Sequence, residues 1–185
     1  MGPDGFHYRS DFITKDEETR LAAEIGALQF STFQMRGVAA RRRVAFFGGS
    51  YDTDSAPTPL PPFLIPLRQA VALWAGIDPE GFAMALINEY QPGAPIGWHR
   101  DAPQYGIVAG VSLLSSCRMK FRPYVRAAQQ ATGQRRVATH QVFLEPRSVY
   151  LLTGDARDKW EHHIPAATSL RYSVTFRTVR RSSVR

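Results

Sequence analysis

The sequence predicts an α+β chain, mainly β, built on a β-sandwich or jelly roll. Three observations predict it. Two amphipathic helical stretches fall before residue 77, and from residue 83 the chain reads as strands to its end. Clusters of Gly, Pro, Asn and Asp separate most of those strands. The last strand, Arg171 to Arg177, alternates completely between polar and apolar residues.

The elements follow in order. Thr14-Lys15-Asp16-Glu17 is a capping box, with Thr14 as N-cap and Glu17 at the third helical position. Leu21, Ile25 and Leu28 recur at helical spacing, so a helix over about 15–28 is expected to bury one stripe. Residues 30–55 read as a ribbon with turns. There, Arg42 to Tyr51 mixes cations, aromatics and glycines, as suits either a mobile flap or a strand with core aromatics. A proline-rich connection, 56–66, leads into a helix carrying Leu64, Leu67, Val71 and Trp74, which Gly76 is placed to stop. Strands are then expected at 83–90, 106–114, 118–121, 137–144, 149–152 and 170–178. No internal repeat or linker argues for two domains, so 1–185 is expected to be one domain, with a β core at about 82–178.

His99 and Asp101 sit two apart at the end of the stretch Asn88 to Asp101. In extended backbone, residues i and i+2 share a side, so an imidazole and a carboxylate can be aimed at one point. That is two-thirds of a facial triad of the kind that holds iron(II) and leaves positions open. Taken alone the pair is a weak signal that arises often by chance, and a surface turn is its plainer reading. A third donor is offered by Trp160-Glu161-His162-His163, far along the chain.

In the last strand Arg171, Ser173, Thr175 and Arg177 share one face, and Tyr172, Val174 and Phe176 the other. If the apolar face packs on the helices, two guanidiniums point inward. Burying them without partners is prohibitive, so an anionic ligand would be required. The guanidinium fork matches a carboxylate in bidentate geometry.

Charge points the same way. Lys and Arg number 23 against 16 Asp and Glu, a formal net charge of +7 that favours an anionic partner such as nucleic acid. No acid occurs between Asp101 and Glu145, an interval that contains Arg135 and Arg136. The one cysteine, Cys117, cannot form an internal disulfide, which suits a reducing, cytoplasmic setting. No apolar run approaches a membrane span, and the N-terminus lacks a signal-peptide pattern. No membrane partner is expected, and a monomer is.

Together these segments resemble the AlkB family of iron(II)- and 2-oxoglutarate-dependent dioxygenases. The matching pieces are Asn88-x-Tyr90-x-Pro92-Gly93, His99-x-Asp101, Thr153-Gly154-Asp155-Ala156-Arg157 with Trp160-x-His162, and Arg171 through Arg177. The resemblance implies a double-stranded β-helix with N-terminal helices and a nucleotide-recognition lid over about 30–55. It implies His99, Asp101 and His162 as iron ligands, with His163 in a place where the family has a small residue. It also implies a 2-oxoglutarate site. Arg171 would hold the distal carboxylate with Asn88 and Tyr90, and Arg177 would lie nearer the metal. Thr175 would face the same way, and Ser173 stands where other members have asparagine.

The implied reaction uses O2 to convert 2-oxoglutarate to succinate and carbon dioxide and to hydroxylate an N-methyl group, which leaves as formaldehyde. The implied substrate is an alkylated base, of the 1-methyladenine or 3-methylcytosine type, in DNA or RNA. Such cationic bases pair poorly and are extruded at lower cost. His99 and a lid aromatic, Phe47 or Tyr51, would sandwich the base, with Arg43, Arg135 and Arg136 on phosphate. Pro103 stands where the best-known bacterial member has a second acid that contacts the base. The alternatives are a hydroxylase of a protein or small molecule, and a non-catalytic nucleic-acid binder.

Overall fold

The computed structural model of the protein describes residues 2–35, 38–49, 57–124 and 139–180. Eleven strands form two antiparallel sheets among the described residues. The larger has the order β1-β9-β6-β11-β4-β3-β2, with β1 Phe6–Arg9, β2 Ser31–Met35, β3 Val38–Gly48, β4 Phe82–Tyr90, β6 Tyr105–Leu113, β9 Ser148–Leu152 and β11 Arg171–Val179. The smaller has the order β5-β10-β7-β8, with β5 Ile96–His99, β7 Cys117–Pro123, β8 His140–Leu144 and β10 Trp160–Ile164. This is the double-stranded β-helix, or jelly roll.

The two longer helices cover one face of the large sheet. Helix α1, Lys15–Gly26, starts at the expected capping box: the Thr14 hydroxyl accepts from the Glu17 backbone N–H, and the Glu17 carboxylate accepts from the Thr14 N–H. It ends at Gly26, two residues short of the expected boundary, at a residue with poor helix propensity. Helix α2, Ile65–Ala75, stops at Gly76, whose φ of 70° is left-handed and open to glycine without strain. Helix α3, Gly154–Asp158, is a single turn before β10.

The apolar side chains of β11 settle the orientation of everything else. Tyr172, Val174 and Phe176 join Leu21, Ile25, Leu67 and Val71 in the core between large sheet and helices. Fully burying side chains like Val174 and Phe176 contributes roughly 1.5–3 kcal/mol each. Arg171, Ser173, Thr175 and Arg177 are thereby turned toward the second sheet. There Met119, Phe121, Leu144, Tyr150 and Ile164 make a second, inter-sheet core.

The structure bears on residues 30–55 in two ways. First, of the flap and the strand left open there, the described part is strand. β2 and β3 continue the large sheet as its outer strands, with β3 paired to β4 from Arg43↔Glu89 to Gly48↔Met84. Second, the parity of β3 is one residue away from that expected. Arg42, Val44 and Phe46 face the cavity between the sheets, while Phe47 packs on the helix-side core. A slip of one residue moves a whole strand's side chains to the opposite face.

Candidate active site

A cavity of about 210 Å³ lies between the sheets. The candidate metal donors close one end. β5 and β10 pair so that His99 stands opposite His162, with ring centroids 4.2 Å apart. Asp101 lies two residues beyond His99, and its Oδ2 is 3.8 Å from His162 Nε2. His163, next in the chain, faces outward, its ring 5.2 Å from Trp98. Alternation along β10 therefore separates the two histidines.

The protonation states suit metal binding. Burial pushes the His162 pKa down to about 3 and lowers that of His99 as well, so both imidazoles are neutral near neutral pH. His99 Nδ1 lies 2.8 Å from the Gly97 carbonyl; as a donor there it leaves Nε2 for a metal. Burial alone would raise the Asp101 pKa. The Arg177 guanidinium overrides it and, with the two imidazoles, holds the carboxyl well below the usual range. Among the described residues no three His, Cys, Asp or Glu side chains are already drawn into a closed cage. The gap is small: two donors each about 2.1 Å from a metal, at right angles, stand about 3 Å apart. The donor set therefore fits a first-row metal with open positions.

A buried cation adjoins the cavity through Tyr90. Arg171 is 1% exposed, and its Nε donates to Ser112 Oγ at 3.0 Å. Its Nη1 and Nη2 are buried with no hydrogen-bond partner. The Tyr90 ring centre lies 5.1 Å from the guanidinium carbon, and Tyr90 lines the cavity while Arg171 does not. A buried guanidinium with both terminal nitrogens unmatched costs several kcal/mol unless an anion arrives. A carboxylate, which accepts two parallel N–H bonds, is the matching group.

The remaining expected residues fall as follows. Asn88 lines the cavity and accepts from Arg42 Nε at 3.0 Å. Thr175 Oγ1 donates to the Leu86 carbonyl at 3.0 Å and accepts from Arg177 Nη1 at 3.1 Å. Ser173 lines the wall between them. Arg43 is not brought to the cavity: it forms a bidentate pair with Glu89, at 2.6 and 3.0 Å, on the opposite face. Phe47 is likewise turned away, into the helix-side core. Tyr51, Arg135 and Arg136 lie outside the described residues.

Several residues in or beside the cavity were not foreseen. Arg42 and Phe46 were hidden by the parity slip, although they adjoin the residues named. Tyr150 reaches the cavity because Gly110, opposite it, has no side chain; a Cβ there would come within 2.3 Å of the Tyr150 ring. Arg157, buried on α3, donates from Nη2 to the carbonyls of Ala102 and Tyr105, at 2.6 and 2.7 Å. It thus fastens the turn that follows Asp101. The Gly154-Asp155-Ala156-Arg157 motif contained that residue, but its target could be seen only in three dimensions.

Two imidazoles and a carboxylate gathered within a jelly roll, beside a guanidinium awaiting an anion, define the class: an oxidoreductase dependent on a metal and a small carboxylate co-substrate. The chain belongs to the 2OG-Fe(II) oxygenase superfamily, whose family model matches residues 13–177. It is an Fe(II)- and 2-oxoglutarate-dependent dioxygenase that also takes O2. It is 28% identical, over 95% of its length, to the Arabidopsis thaliana protein named "Alkylated DNA repair protein ALKBH8 homolog", and it spans 58% of that relative. Its fold matches the structure of OsALKBH1, with a TM-score of 0.67 at 16% identity over 94% of this chain and 98% of the other. It also matches a Pseudomonas putida prolyl-4-hydroxylase, with a TM-score of 0.60 at 17% identity over 96% and 94%. The name of the first of these relatives is in line with the AlkB resemblance of the motifs. No helix among the described residues is long and apolar enough to cross a membrane.

Proposed function

We propose that the protein oxidatively dealkylates N-alkylated nucleobases, of the 1-methyladenine and 3-methylcytosine type, in DNA or RNA, releasing formaldehyde, succinate and carbon dioxide. The observation that carries this reading is the cavity. At about 210 Å³ it is smaller than a typical ligand pocket, and Phe46 and His99 both line it. A polymer can offer such a space only one extruded group, and a flat ring between an aromatic and an imidazole suits it. The relative named as an alkylated-DNA repair protein supports the same substrate class.

In this reading His99, Asp101 and His162 hold the iron, which when bound supplies the oxidising power with O2 and 2-oxoglutarate. Arg171 takes the distal carboxylate of 2-oxoglutarate, with Asn88, Tyr90, Ser173 and Thr175 along its path. Arg177 fixes Asp101, and Arg157 fixes the turn behind it. Phe46 takes the stacking role expected of Phe47. The protein's part is positioning and exclusion of water.

The test is incubation of the iron-loaded protein with oligonucleotides bearing methylated and etheno bases, read by mass spectrometry. Loss of 14 mass units from a methylated base, with matching succinate, is the expected result (that difference is about one CH2, the methyl replaced by hydrogen). Succinate formation stimulated by a peptide and by no oligonucleotide would overturn the nucleic-acid reading.

A further inference from the structure

The outward face of the smaller sheet carries cations laid on aromatic rings. Met119 and Phe121 of β7 point into the core, so Arg118, Lys120 and Arg122 point out. The Arg122 guanidinium carbon lies 4.5 Å from the Trp98 ring centre, that of Arg118 lies 5.7 Å from Phe143, and that of Arg100 lies 3.6 Å from Tyr124. Elsewhere Arg43, Arg68, Arg147, Lys159 and Arg180 meet carboxylates. On this face Glu161 pairs with Arg122 at 2.7 Å, and among the described residues no carboxylate pairs with Arg118 or Lys120.

We propose that this face binds the phosphodiester backbone of a single-stranded nucleic acid leaving the active-site cavity. The inference rests on the nucleic-acid reading above and adds a second surface to it. Arg100 joins the two, since it lines the cavity and also begins the stripe. From Tyr124 to Arg118 the stripe runs about 20 Å at ~3.3 Å per residue. That matches about six stacked nucleotides at ~3.4 Å each. Arg118, held against Phe143, keeps its N–H edge for phosphate, so less side-chain entropy is lost on binding, whereas Arg122 Nε is paired with Glu161 and Arg100 Nη1 donates to the Asp158 carbonyl. Phe143 and Tyr124, 53% and 39% exposed, add ring surface on which bases can stack.

The test compares wild type with Arg118→Gln/Lys120→Gln for binding of fluorescent oligothymidylate and oligouridylate across a salt series. Phosphatidylserine vesicles serve as a second anionic probe. Removing two phosphate contacts should flatten the slope of log affinity against log salt by about 1.4 for a single strand. The melting midpoint should be unchanged, because both side chains leave the core untouched; Lys120→Gln alone, with about half that change in slope, is the second variant. Phe143→Ala should weaken binding without altering the slope. Wild-type and variant slopes that coincide, while wild type still dealkylates oligonucleotides, would overturn this surface and leave the dealkylase reading standing. No salt-dependent oligonucleotide binding by wild type, or binding to vesicles alone, would overturn both.

Discussion

Arg177 places two nitrogens, Nε at 3.0 Å and Nη2 at 2.8 Å, on a single oxygen of Asp101. The other carboxylate oxygen is left facing His162, 3.8 Å from its Nε2. One guanidinium thus does two things: it keeps the carboxyl ionised inside the protein and selects which oxygen can meet a metal. The arrangement depends on strand alternation, which puts Arg177 and Thr175 on the same face and lets Arg177 Nη1 brace against the threonine hydroxyl.

Arg177→Gln should therefore weaken metal binding. Losing a partner that orients a metal ligand typically costs about 10–100-fold in affinity. Titration with cobalt(II), followed by its visible absorption, measures this. Affinity equal to wild type would show that Arg177 does not set the ligand.

Arg171→Met should act in opposite directions on stability and on co-substrate use. It removes a buried charge whose terminal nitrogens have no partner, so without 2-oxoglutarate the melting midpoint should hold or rise. It also removes a charge-assisted pair worth about 1.5–3 kcal/mol, so the 2-oxoglutarate requirement should rise roughly 10–150-fold. Thermal shift with and without 2-oxoglutarate, together with KM, reads both. A KM unchanged from wild type would place the co-substrate elsewhere.

The parity of β3 makes a paired prediction. Phe46→Ala should lower dealkylation of a methylated oligonucleotide, because that ring lines the cavity. Phe47→Ala should chiefly lower stability, on the order of 2 kcal/mol, because that ring packs on the helix-side core. Urea melts and single-turnover assays on both variants check it; reversed effects would show the strand to be read in the wrong register.

Metal-free protein should lose stability as pH falls from about 6.5 toward 3. His162 has a folded pKa pushed below its ordinary value, so within that window the unfolded state binds the proton that the folded state refuses. Stability is thus highest above the window and declines through it on acidification. His162→Gln should flatten this part of the profile, and added metal should oppose the decline by holding the imidazole neutral. Melting midpoints against pH, for both proteins with and without cobalt(II), test the sign.

How much could be seen beforehand follows from which interactions are local. The α1 capping box joins residues three apart, and the Gly76 stop is a property of one residue, so both helix limits were nearly readable. The alternation from Arg171 to Arg177 is strict enough to announce two faces, and the family motifs named the donors and the cationic strand. The parity of β3 was not readable, because cations and aromatics occupy both its faces: Arg42 and Arg43, Phe46 and Phe47. β1 was missed for a different reason; it is only four residues long, and its order comes from pairing with β9, with Arg9 opposite Val149 and Phe6 opposite Leu152, far away in sequence.

The sequence by itself determined a mainly β chain and the two faces of its last strand, because residue type and periodicity are local properties; its motifs, by their resemblance to a known family, added the 2-oxoglutarate dioxygenase class and the candidate side chains. Tertiary structure decided which face of each strand meets the cavity, that His162 rather than His163 turns inward, and that Arg171 is left with two unmatched nitrogens. Those facts depend on which sheet packs against the helices and which against the other sheet, a choice made by burying Tyr172, Val174 and Phe176 on α1 and α2. Once that apolar face is committed, the opposite row has no route to water, and its charges must find partners inside.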